Sequence, residues 1–266
     1  MVVTASTSPE RPSDLDVQRL ATMLLTAHRE RRLIEPISAA EELTLDTAYR
    51  VQRIVTEARL ATGEQIVGWK LGYTSQAMRL QMGVAEPNFG PLTDAMLLET
   101  DGAVDPQLMQ PRVEPEIGIM LARPLEGRVT LDDVLGATAH AFACLEVVDS
   151  VYADYRFRLE DNTADGSSAA QVVVGPTLPA HDSLDTIEVA FFHNGTHLDT
   201  VRGSAASGHP ANGVVWLAEQ LHRMGGRLEA GQIVITGGLT RAVALAPGDV
   251  VSARFAGTTT VTVHRE

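Results

Sequence analysis

The segment Val113-Glu114-Pro115-Glu116-Ile117-Gly118-Ile119-Met120-Leu121 sets two glutamates one residue apart inside a run of aliphatic residues. In an extended strand, residues two apart point to the same face, so Glu114 and Glu116 project side by side. Two carboxylates in a partly buried space repel each other and raise one pKa unless a cation neutralises them, and a divalent metal is the simplest neutraliser. A third acid, Glu146, sits inside Ala143-Cys144-Leu145-Glu146-Val147-Val148, where a solvated charge is unexpected. Three carboxylates with open water positions suit a hard ion, Mg²⁺ or Mn²⁺, better than Zn²⁺. Spacing alone leaves a second account open, in which Glu114 and Glu116 line a solvated strand face and Glu146 pairs with an arginine.

Outward from this strand, short β-rich segments punctuated by Gly and Pro fill the chain from residue 65 onward: 66–71, 171–174, 186–192, 232–235, 250–255 and 259–263. A helix is expected over 211–224, with Val214, Val215, Leu217, Ala218 and Leu221 as its buried face after Pro210. Towards the N-terminus the period changes. Ser13 precedes an acidic first turn, Asp14 and Asp16, then apolar residues at Leu15, Leu20, Met23, Leu24 and Ala27, then a basic end at His28, Arg29, Arg31 and Arg32, which is a capped amphipathic helix. A second helix follows Leu43, through Ala48, Val51, Ile54, Val55 and Ala58, until Gly63 stops it. The expectation is an α+β protein with a helical N-terminal region, 1–64, and a β-rich metal-binding domain, 65–266.

Lys70 lies in Val67-Gly68-Trp69-Lys70-Leu71-Gly72, whose glycines allow close backbone approach. Buried beside a metal, a lysine can lose its proton readily and act as acid or base. A lysine near a strand end is also commonly a surface residue with its ammonium in water. Two polar turns, 161–168 and 203–210, offer hydroxyls and backbone N–H groups to a carboxylate. Neither carries the Gly-x-Ser-x-Gly nucleophile elbow, and no phosphate-binding loop or dinucleotide fingerprint occurs.

A net charge of −13 repels polyanions, and no basic cluster interleaved with aromatics offsets it, so nucleic acid is not an expected partner. Cys144 is the only cysteine, which excludes an intramolecular disulfide and a Cys-rich zinc site and fits a reducing cytoplasm. Residues 1–10 lack the apolar core of a signal peptide and read as a frayed terminus, and no apolar run is long enough for a membrane helix.

Taken together, the blocks Gly68-Trp69-Lys70-Leu71-Gly72-Tyr73-Thr74-Ser75, Met82-Gly83-Val84 through Phe89-Gly90, Arg112-Val113-Glu114-Pro115-Glu116-Ile117, Leu145-Glu146-Val147-Val148-Asp149-Ser150 and Thr236-Gly237-Gly238-Leu239-Thr240 with Ala246-Pro247-Gly248-Asp249 resemble one family. It is the 2-keto-4-pentenoate hydratase and 4-oxalocrotonate decarboxylase group of the fumarylacetoacetate hydrolase superfamily, and the likeness runs from residue 15 to residue 263. The resemblance implies a mixed β-sandwich roll, a homo-oligomer, and Mg²⁺ or Mn²⁺ held by Glu114, Glu116 and Glu146. It carries the proton-handling lysine onto Lys70 and a pocket serine onto Ser168, groups Asn88 with them as catalytic, and places Leu71, Asp165, Thr236 and Gly237 at the substrate.

The implied partner is a short 2-oxo or 2-enol carboxylic acid. The metal would chelate its carboxylate and 2-oxygen and stabilise an enolate, while Lys70 moves a proton at carbon. The sequence around Val201-Arg202-Gly203-Ser204 and Gly208-His209-Pro210-Ala211-Asn212 is similar to the hydratases, and Ala169-Ala170-Gln171 lacks an arginine often found there in decarboxylases. A hydratase of 2-hydroxy-2,4-dienoates from aromatic or steroid ring catabolism is therefore the expectation. A 4-oxalocrotonate-type decarboxylase, an acylpyruvate C–C hydrolase and a non-catalytic partner keeping the fold are the alternatives. Two departures stand out: Asn88 replaces an aspartate in the hydratase Pro-Asp-Phe-Gly block, and Gly166 replaces an asparagine after Asp165. An amide can orient water but cannot take its proton at neutral pH.

Overall fold

The computed structural model describes residues 13–75, 79, 84–179 and 181–266. Met82 and Gly83 of the second sequence block, and the N-terminal residues 1–12, lie outside them.

Helix α1 (Asp14–Glu30) starts as expected: the Ser13 hydroxyl accepts from the Asp16 N–H, and the Asp16 carboxylate accepts from the Ser13 N–H. This reciprocal cap satisfies two of the donors that every helix N-terminus leaves unpaired. The buried stripe is Val17, Leu20, Ala21, Leu24 and Ala27, whereas Leu15 is 83% exposed. At 100° per residue Leu15 stands about 200° from Val17, so an apolar side chain there points to solvent. Helix α2 (Leu45–Leu60), capped by Thr44, lays Ala48 and Val51 against α1. Its buried Gln52 donates to the carbonyls of Phe89 and Thr163, which ties the helical region to the strand and turn beside the site. Val151, Tyr152 and Ala164 belong to the same apolar cluster as the two helices.

Thirteen strands occur among the described residues: β1 (Ile66–Gly72), β2 (Asn88–Thr93), β3 (Leu97–Glu99), β4 (Gly102–Ala103), β5 (Arg112–Leu121), β6 (Thr138–Val148), β7 (Ala169–Thr177), β8 (Glu188–His193), β9 (Thr196–Arg202), β10 (Ile233–Ile235), β11 (Val243–Ala244), β12 (Val250–Phe255) and β13 (Thr259–His264). They form one sheet in the order β2-β1-β10-β5-β6-β7-β3, with β11 added to β5, and a second in the order β4-β13-β12-β8-β9. The sheets are mixed: β1 runs parallel to β10, while β10, β5, β6 and β7 are antiparallel neighbours. Between the sheets lies the main core, where Val113, Ile117 and Ile119 of β5 and Leu145 of β6 join Phe191, Val251, Phe255 and Val261 of the other sheet.

Three further α-helices among the described residues are α3 (Leu131–Ala137), α4 (Leu159–Ala164) and α5 (Pro210–Arg223). Helix α5 buries Val214, Leu217 and Leu221, as the spacing predicts, with His209 as its N-cap. Val215, read as part of the same face, is only partly buried. The α+β class and the curled, two-sheet arrangement match the expectation. The sequence pattern does not anticipate strands β2, β3, β4, β6, β9 and β11 or helices α3 and α4. β6 is buried from Ala141 to Val148, so it shows no polar–apolar alternation to reveal a strand. The polar run 161–168 holds the end of α4 and a tight turn rather than a simple loop. Among the described residues no helix is long and apolar enough to cross a membrane.

Candidate metal centre

Strand alternation sends Val113, Ile117 and Ile119 into the core and leaves Arg112, Glu114, Glu116 and Gly118 on the opposite face of β5. The β5–β6 register then sets Glu114 directly across from Glu146 and Glu116 across from Cys144. One carboxylate oxygen from each of Glu114, Glu116 and Glu146 lies within 4.8 Å of the others. Burial first, then the charge of Glu146, pushes Glu114 up to about 7 and Glu116 well above the ordinary carboxylate range. Glu146 also rises from burial, partly offset by Lys70.

Glu116 Oε1 and Glu146 Oε2 are buried and accept no hydrogen bond. Buried acceptors left without donors are costly, and an all-oxygen donor set of three carboxylates matches a hard divalent cation. The three residues thus fit a metal of that class. Burial and then the neighbouring carboxylates push the Cys144 thiol well up, and its Sγ donates to the Glu116 carbonyl.

The backbone is shaped around these acids. The Gly237 N–H donates to Glu116 Oε2 at 2.7 Å, from a residue with φ of +101°. A Cβ on Gly238 would stand 2.0 Å from Glu114 Oε2, so only glycine lets this loop lie against the carboxylate. Thr236 holds the strand end by donating from Oγ1 to the Ile117 carbonyl.

Lys70 is 3% exposed, which settles the choice between surface and buried lysine. Its Nζ lies 3.1 Å from Glu146 Oε1 and donates to the carbonyl of Ser167 at 3.0 Å and to its hydroxyl at 3.3 Å. Burial pulls the ammonium down, but Glu146, Glu116 and Glu114 outweigh it and hold Lys70 above its ordinary value. A cavity of about 150 Å³ opens beside these groups, lined by Lys70, Glu114, Tyr73, Arg112, Ser167 and Ser168 among others. A larger space of about 490 Å³ shares Tyr73 and Phe157 with it and carries Arg158 and Glu160.

Of the residues expected at the site, Glu114, Lys70 and Ser168 line the cavity, with Glu116 and Glu146 completing the acidic cluster. The other five stand behind it. Leu71 is in the main core, 1% exposed. Asn88 donates to Asn162 Oδ1 and Thr163 Oγ1 and accepts from the Ser167 hydroxyl, so it reaches Lys70 only through Ser167. Asp165 turns away from the cavity: its carboxylate meets His28 Nε2 at 2.6 Å and accepts from the Val151 N–H. Thr236 and Gly237 support Ile117 and Glu116 as described above.

Sequence marks Ser168 through the family resemblance but does not mark Ser167, Asn162 or His28. Ser167 and Ser168 both sit in the left-handed region, with φ of 58° and 56°, a conformation that costs an L-residue roughly 1–2 kcal/mol and leaves no trace in residue type. Gly166 at φ +64° begins this turn, a region that asparagine, the residue the resemblance implies there, also tolerates. The turn closes on β2, where a Cβ at Gly90 would stand 2.1 Å from the Gly166 carbonyl. Asn162 donates to Ser168 Oγ, and His28, read as part of a basic helix end, ties α1 to the turn through Asp165.

Known proteins resemble this chain in sequence and in fold. Residues 65–264 match the family described as fumarylacetoacetate (FAA) hydrolase C-terminal. The chain is 36% identical over 256 residues to 2-keto-4-pentenoate hydratase of Paraburkholderia phymatum, covering 94% of this chain and 95% of the relative. It is 37% identical to 2-hydroxyhexa-2,4-dienoate hydratase of Comamonas testosteroni, covering 85% and 88% respectively. The structure of 4-oxalocrotonate decarboxylase from Pseudomonas putida G7, complexed with magnesium and adipate, superposes with a TM-score of 0.92 at 32% identity, covering 97% of this chain and all of that one. With its buried carboxylate cluster, its mixed two-sheet fold and these relatives, the chain belongs to the fumarylacetoacetate hydrolase family.

Proposed function

We propose that this protein is a divalent-cation-dependent hydro-lyase that adds water to a 2-hydroxy-2,4-dienoate of the 2-oxopent-4-enoate type, giving a 4-hydroxy-2-oxo acid. The observation that carries the reading is the placement of the Lys70 ammonium, 3.1 Å from Glu146 and at the wall of the cavity that Glu114 also lines. Glu114, Glu116 and Glu146 would hold magnesium or manganese, which would supply Lewis acidity towards a 2-oxo carboxylate. The residues of the chain do the rest. Lys70 moves the proton: one is gained at C5 of the dienol as the 2-hydroxyl proton is lost, which gives a 2-oxo-3-enoate. Water then adds at C4, and C3 takes a proton.

Ser167 fixes the Lys70 rotamer through its carbonyl and hydroxyl, and the Asn88–Asn162–Thr163 amide and hydroxyl network fixes Ser167. Negative charge on Glu146, Glu116 and Glu114 raises the Lys70 pKa. A cation that offset this charge would weaken the opposition to burial and so lower the amine's pKa. Asn88 has no acidic proton to exchange, so it serves this reading as a positioning amide rather than a base for water. The resemblance also supports a homo-oligomeric assembly.

A decarboxylase is the second reading, favoured by the near-complete superposition on 4-oxalocrotonate decarboxylase. Purified protein with Mg²⁺ is to be incubated separately with 2-hydroxypenta-2,4-dienoate and with 4-oxalocrotonate, following dienol absorbance and CO₂. Loss of the dienol to a 4-hydroxy-2-oxo acid is the expected result. Release of CO₂ from the second substrate, with the first untouched, would replace the hydratase reading by the decarboxylase one.

A further inference from the structure

Arg112 is the basic side chain of the cavity that the reaction above leaves unused. It precedes Glu114 by two residues on β5, so strand alternation sets it on the carboxylates' face. Its guanidinium lies 3.9 Å from the centroid of the Tyr155 ring, and both residues line the cavity with Lys70 and Glu114. The ring itself is pinned, because the Tyr155 hydroxyl lies 2.9 Å from the Val148 carbonyl and 3.1 Å from that of Gln110.

Stacking on a fixed aromatic face orients the guanidinium plane and leaves its N–H edges unused. Among the described residues Arg112 forms no ion pair with a carboxylate, in contrast to Lys70, which is committed to Glu146. A planar fork of donors that meets no bonded acceptor among the described residues is matched to a carboxylate, which it can bind through two parallel hydrogen bonds. Charge points the same way. Three ionised carboxylates, one divalent cation, Lys70 and Arg112 leave a single net positive charge at the site, which one anionic substrate group would cancel.

Resting on the reading of this site as one for 2-oxo acids, we infer that Arg112 is the carboxylate anchor of the substrate. Tyr155 is the platform that holds it. In this role Arg112 binds and orients the acid, and proton movement stays with Lys70.

Calorimetric titration of the magnesium-loaded protein with 2-oxobutanoate tests this, alongside titration of the metal-free protein with Mg²⁺, for the wild type, Arg112→Gln and Arg112→Lys. The glutamine variant is expected to weaken 2-oxobutanoate binding tenfold or more and the lysine variant by a smaller factor, with Mg²⁺ affinity weakened in neither. Equal 2-oxobutanoate affinity in wild type and Arg112→Gln overturns the anchor and leaves the functional reading standing. No binding of 2-oxobutanoate to the magnesium-loaded wild type overturns both. If the glutamine variant does not fold, Arg112→Lys carries the comparison, since an ammonium cannot reproduce the planar fork; unchanged affinity there also overturns the proposal.

Discussion

Removing the divalent cation should make this protein's stability fall as pH rises from about 5 to 8, a trend that Mg²⁺ abolishes. Glu114 has an ordinary carboxylate value of 4.5 in the unfolded chain and about 7 in the folded, metal-free one, and Glu116 and Glu146 move in the same direction. A raised carboxylate pKa means that the folded state binds more protons than the unfolded state between those two values. Its contribution is therefore fully present below pH 4.5 and is lost as pH rises through 7.

At about 1.4 kcal/mol per pKa unit, Glu114 alone costs on the order of 3 kcal/mol by pH 8, an upper figure because its side chain meets cavity solvent. Lys70, raised from 10.5, is charged in both states throughout this window and adds no slope. Cation at about 100 times its dissociation constant returns roughly 2.7 kcal/mol. For a chain of this size 3 kcal/mol corresponds to roughly 5–10 °C in Tm. Calorimetric melting in EDTA and in excess Mg²⁺ at pH 5, 6, 7 and 8 measures it, with Glu114→Gln as the control that removes one titrating group. The glutamine variant should melt higher than wild type in EDTA at pH 8 and respond less to Mg²⁺. A metal-free wild type whose Tm is flat across this range, and indifferent to Mg²⁺, would refute both the buried cluster and its role as a cation site.

Gly238→Ala should leave the fold intact but lower Mg²⁺ affinity by about tenfold or more, read by titration calorimetry, because the new Cβ displaces Glu114 Oε2 from 2.0 Å; second-layer changes at metal sites commonly cost about 10–100-fold. Lys70→Ala should keep the metal and lower kcat by about 10²–10⁴-fold, the usual span of general acid–base catalysis; turnover at the wild-type rate would remove Lys70 from the proton path. His28→Ala leaves the buried Asp165 carboxylate short of a partner and should cost roughly 1–3 kcal/mol, seen as a lower urea midpoint.

The sequence alone revealed features set by neighbouring residues. The Ser13–Asp16 cap and the α1 stripe, the paired glutamates of one strand face, and a lysine between two close-approach glycines each follow from local periodicity or backbone freedom. The ordered blocks carrying these residues were enough to suggest the family. Local periodicity failed where burial is two-sided, as on β6, and misplaced Leu15, whose apolar character says nothing of its exposure.

Only the tertiary structure decided what converges. Glu146 meets Glu114 through the β5–β6 register, Gly237 reaches Glu116 across 121 residues, and two serines in left-handed conformation bring the Ser167 carbonyl to Lys70. It also turned Asp165 towards His28 and stacked Arg112 on Tyr155. A strand's period fixes which face a side chain takes, whereas the partner it meets there depends on register, turn geometry and packing between segments far apart in the chain.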